Sequence, residues 1–187
     1  MLRAIIALGL SLVLAGCWTS DRRLFDTGDW AKLDLSGEYE VASITSSDGP
    51  RRAIFTTRPD GLVVIAPVGG VDDDEDPTVL GLVPIEGGSG TGFIAVDRAT
   101  AGDSDLYYLA SLDDGDLGFY FPACEATPAI EGMVVTGEST CTFSSRQALM
   151  KAALEAERFL STRHIVAITP FLRFSRVEEA EGDAPQS

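Results

Sequence analysis

Histidine is nearly missing from this chain of 187 residues: His164 stands alone. A Ser-His-Asp triad or a histidine-bearing zinc centre would hang on that one residue, in the context TRHIVAIT, where a helix end or strand edge is the ordinary setting. HExxH, Ser-x-x-Lys and Cys-x-x-Cys are also absent, so no catalytic constellation or cofactor can be named and a non-enzymatic role is expected. Positive charge is scarce, with 14 Lys and Arg against 29 Asp and Glu and a formal net charge of −15. Nucleic acid is excluded as a natural partner, because binding it requires neutralising phosphates with basic side chains. The same imbalance argues against a surface that lies on anionic lipid and points instead to basic partners. No internal repeat is present, and the longest apolar run, residues 4–16, falls short of the roughly 20 needed to span a bilayer.

That run is informative for its position. Arg3 precedes it, small residues close it, and the sequence Leu14-Ala15-Gly16-Cys17 ends it, which is the layout of a secretory signal. These four residues resemble the lipobox of bacterial lipoproteins, and the resemblance is confined to the leader. It implies a signal peptide over residues 1–16 and a mature chain that starts at Cys17 with fatty acyl chains of the palmitate type on that residue. More than one chain is needed for a lasting hold on a membrane, since each buried CH₂ contributes about 0.8 kcal/mol. Trp18, followed by Thr19, stands directly after the cysteine, where enterobacterial lipoproteins kept at the inner membrane carry Asp, so the resemblance implies the outer membrane, facing the periplasm. Export also bears on Cys124 and Cys141, the two cysteines left once Cys17 is acylated, which are expected to pair as a disulfide in an oxidising compartment.

Residues 17–36 mix charge, glycine and aromatics without a sustained period and read as a lipidated tether whose later part, around Trp30 and Leu33, packs on the domain. Residues 178–187 carry four acids and no large apolar side chain, and read as a solvated acidic tail. Between them, 37–177 is rich in short Val, Ile, Phe and Tyr runs bounded by Gly, Asp and Pro clusters. Hairpins are expected at Pro59-Asp60-Gly61 and at Asp113-Asp114-Gly115. One segment differs: residues 144–160 are strong helix formers, with Leu149, Ala153, Ala156 and Leu160 on one face and Ser144 and Gln147 in capping-box relation. The fold class is therefore mainly β, an antiparallel barrel or sandwich with one C-terminal helix packed on it and a last strand after the helix. The opening SGEYEV resembles the first strand of lipocalins, with Tyr39 where that family has Trp, and implies a barrel.

Three further features bear on chemistry. The cluster Gly87-Gly88-Ser89-Gly90-Thr91-Gly92 is followed by β-type residues rather than a helix and has no Lys, so it reads as a flexible strand connection and not a phosphate loop. Asp72, Asp73, Asp74, Glu75 and Asp76 are the densest charge and a weak calcium candidate, although they lack EF-hand spacing. Tyr108, Phe119 and Phe121 are the residues expected to line any cavity inside a barrel. Two functions follow: a lipid-anchored envelope protein with a structural or protein-interaction role, recruiting a basic envelope protein or peptide, or a lipocalin-like module for a small apolar ligand.

Overall fold

The structure is a computed structural model and describes residues 18–44, 51–68, 77–98, 105–121, 124, 129–136, 140–162 and 170–177. The leader, Cys17, the acidic run 72–76, His164 and the tail lie outside these residues.

The chain forms β1 (Trp18–Thr19), β2 (Gly37–Ser43), β3 (Arg51–Thr57), β4 (Val63–Val68), β5 (Thr78–Pro84), β6 (Gly92–Asp97), β7 (Leu106–Asp113), β8 (Asp116–Tyr120), β9 (Met133–Thr136), β10 (Thr140–Phe143), α1 (Arg146–Thr162) and β11 (Leu172–Arg176). Strands β2 to β8 run as an antiparallel meander, and β11 returns after the helix to pair with both β8 and β2. Eight strands thereby close into a barrel, which settles the choice between barrel and sandwich. Closure leaves no free edge among these eight. The turns follow local chemistry. Asp114 and Gly115 take positive φ, 47° and 89°, as a two-residue hairpin loop requires, and Gly61 does the same at 86°.

Alternation along the strands produces two cores. Inward-facing Tyr39, Phe55, Leu82, Phe93, Phe119 and Phe174, with Ala53, Ala95 and Ala110 opposite them, fill the barrel interior. Tyr39 stacks on Phe55 at 4.2 Å, and Phe174 meets Phe55 and Phe119 edge-on at 4.9 and 5.7 Å. Large rings facing small residues are how a narrow barrel is filled. Outward-facing Val83, Ile94, Val96, Tyr107 and Leu109 form the second core with α1 and the N-terminal segment. This is why β6 is buried on both faces. The helix lies on the barrel through Ala148, Leu149, Ala152 and Ala153, all buried, while Ala156 and Leu160 are only partly covered. Its cap is Ser145, whose Oγ accepts from Ala148 N at 3.2 Å, and not Ser144. Ser144 is still held by the preceding turn, its N and Oγ both donating to Gly132 O.

The segment read as a tether is packed from its first described residue. Trp18 is fully buried in β1, which pairs antiparallel with the first residues of β7 and parallel with β10. With β9 outside β10, these strands form a flap on the barrel wall. Further along, Phe25, Trp30 and Leu35 are buried, Ala31 N donates to Leu82 O at 2.7 Å, and Arg146 pairs with Asp29 and covers the Phe25 ring.

Candidate functional site

The two ends of the barrel differ. At one end lie the connections 58–62, 85–91 and 114–115; at the other lie 44–50, 69–77 and 98–105, and the chain also leaves β8 there for the flap and helix. At this second mouth the inward positions of β7 and the residues bordering β8 and β11 bring three half-buried rings together. Phe121 and Phe171 stack at 3.8 Å with planes 17° apart, and Tyr108 stands 6.2 and 5.8 Å from them. Phe171 is fixed by its backbone, its N donating to Phe119 O and its O accepting from Ile44 N. The exposed side chains of Ile44 and Val68 stand at the same end. Of the three residues expected around a cavity, Tyr108 and Phe121 meet here, whereas Phe119 is part of the filled interior. Phe171 was the partner that sequence reasoning missed. Its only signal is the PFLRF alternation that sets Phe171 at a strand start.

Nearby, behind the wall, lies a buried polar group. Ser20 Oγ is 2.7 Å from Tyr107 Oη, Asp105 follows at 3.5 Å, and Arg98 reaches Asp105 at 3.8 Å while its guanidinium covers Trp30 at 5.5 Å. Burial pushes the Asp105 carboxyl above the usual carboxylate range against the pull of Arg98, and pushes Tyr107 up to about 12. A serine, a tyrosine and a perturbed acid invite a catalytic reading. Ser20, Tyr107 and Asp105 are 2%, 0% and 3% exposed, however, so no substrate reaches them. The group pins the N-terminal segment to β7.

The glycine cluster is likewise a seat rather than a flexible connection. Glu157 on α1 accepts from Ser89 N at 3.0 Å and Ser89 Oγ at 2.5 Å. A Cβ on Gly88 or Gly92 would come within 2.0 or 2.3 Å of its carboxylate. The glycines make room for an acid that arrives from a distant helix. Cys124 and Cys141 form the expected disulfide, their Cα atoms 5.8 Å apart, joining 124 to the flap. At the opposite mouth burial alone would raise Asp116, but hydrogen bonds from Arg173 and Ser175 outweigh it and hold the carboxyl below its ordinary range. Among the described residues no three His, Cys, Asp or Glu side chains gather to hold a metal. The grooves beside the first turns of α1 are open and lined by mixed side chains such as Glu86, Gln147 and Lys151.

Comparison with protein-family models, with curated proteins and with solved structures finds no match to this chain.

Proposed function

We propose that this is a lipid-anchored protein of the bacterial envelope, held through Cys17 at the outer membrane and facing the periplasm, whose barrel is a scaffold for docking a basic polypeptide. The observation that carries the docking role is the half-exposed stack of Phe121, Phe171 and Tyr108 at the mouth of a barrel whose interior is already filled. Aromatic faces attract Arg and Lys side chains. The acidic run 72–76 is in the connection that leaves Val68 at this mouth, and an excess of carboxylates draws in a cationic partner. Neither element needs a catalytic group.

A second reading, a binding module for a small apolar ligand, draws on the closed barrel and on the same rings. The buried rings inside the barrel and the half-exposed rings at its mouth are the surfaces such a ligand would meet.

Capture from envelope extract tests the first reading. Wild-type protein is compared with Phe121→Ala, with Phe171→Ala and with the five acids of 72–76 changed to Asn or Gln, at low and raised salt. The expected result is a basic partner lost with either change and weakened by salt, because exposed charges are screened beyond about 8 Å at physiological ionic strength. A partner indifferent to all three would contradict it.

A further inference from the structure

We infer that the outer edge of the flap, strand β9 with Val134 and Val135, lies in the headgroup region of the membrane that carries the anchor. The inference rests on acylation of Cys17 and adds to it an orientation. Trp18 is fully buried in β1, so the residue expected to carry the lipid is one peptide unit, about 3.8 Å between Cα atoms, from a rigid sheet. No spacer intervenes. In the flap, Trp18 is registered opposite Cys141 and Cys141 opposite Val135, which places Val135 two strand spacings, about 10 Å, from Trp18.

Strand β9 is the last of the sheet, and among the described residues nothing pairs with its outer side. Val134 is 61% and Val135 51% exposed. An uncovered strand edge bearing large apolar side chains is a site for unwanted pairing unless something covers it. The flap strands WT, MVVT and TCTF also contain no charged residue, in a chain with 29 acids. Exposed Glu131 precedes β9 without entering it, and exposed Arg22 and Arg23 follow β1. An edge that is apolar, charge-free and adjacent to the anchor fits a bilayer surface. Pairing of β9 with a second copy of the chain is the competing occupant.

The test uses the full chain, acylated in cells, with the acyl mass on Cys17 confirmed by mass spectrometry, and reconstituted in phosphatidylcholine vesicles. An environment-sensitive fluorophore is placed at Val135→Cys or Val134→Cys. Ile54→Cys is the control, since Ile54 is exposed on β3, which stands across the barrel from β7. The labels on β9 should be quenched by headgroup-spin-labelled lipid and the label at Ile54 should not. A flexible Gly-Ser insertion between Cys17 and Trp18 should reduce the β9 quenching while leaving the acyl mass in place. Acylated protein whose β9 labels are no more quenched than Ile54, or whose labels are shielded only in a dimer, overturns the orientation and leaves the anchor standing. An unmodified Cys17 overturns both.

Discussion

Gly81 is the residue on which the seating of Trp30 depends. A Cβ there would stand 2.6 Å from two carbons of the indole, so Gly81→Ala should cost about 1–3 kcal/mol by overpacking. Adding Trp30→Ala should cost less than the sum of the two single changes, as a double-mutant cycle in urea would show. Glu157→Ala should cost about 1 kcal/mol and speed amide exchange at Ser89, because its hydrogen bonds hold the 86–91 turn. The sequence marks Gly87 to Gly92 as a break between strands and leaves Gly81 unmarked inside one, and the purpose of neither is local. Trp30 and Glu157 come from far along the chain, and nothing local marks a glycine as room for a distant side chain. Asp105 supplies a pH dependence. Its pKa is raised in the folded protein, so its favourable contribution is complete below the unfolded value of about 3.9 and is lost as pH rises through the folded one. Asp105→Asn stays neutral, and its stability relative to wild type should rise as the pH increases above about 4. A difference independent of pH in urea titrations would contradict this.

Among the elements, those whose signal is local were the ones legible beforehand. The hairpins at Gly61 and Asp114-Gly115 and the helical stripe around Leu149 each follow from a few adjacent residues. The cap moved by one residue because Ser144 is taken by Gly132, a contact set by the preceding turn. Strand β1 was hidden for the opposite reason. Two residues have no periodicity, and Trp18 gains its partners from Tyr107 and Cys141, far away in sequence. The disulfide was legible from cysteine number and from the export that the leader led us to expect, and it closes a separation of 17 residues. Its removal by Cys141→Ser should cost about 3 kcal/mol in the chain-entropy estimate. Thiol titration of unfolded, unreduced protein should find Cys124 and Cys141 unreactive; two reactive thiols there would refute the bridge.

For the whole molecule, a barrel with buried rings inside it, a half-open aromatic mouth and a net charge of −15 are the features that support the docking role we propose. Strand spacing foretold an antiparallel barrel or sandwich, whereas closure of the barrel and the meeting of Phe121 with Phe171 depend on β11 joining the sheet beside β8. The anchor is tested by metabolic labelling with a fatty acid, which should mark the wild type and leave Cys17→Ser unlabelled. The docking claim is tested most directly by calorimetric titration of the acylated protein with an Arg- and Lys-rich peptide, at low and physiological ionic strength. Wild type should bind saturably, more weakly as salt rises, and the Phe121→Ala/Phe171→Ala variant should lose most of that affinity with its fold intact. Absence of saturable peptide binding, together with stoichiometric uptake of a long-chain fatty acid by the same protein, would contradict the account and make the barrel a ligand carrier.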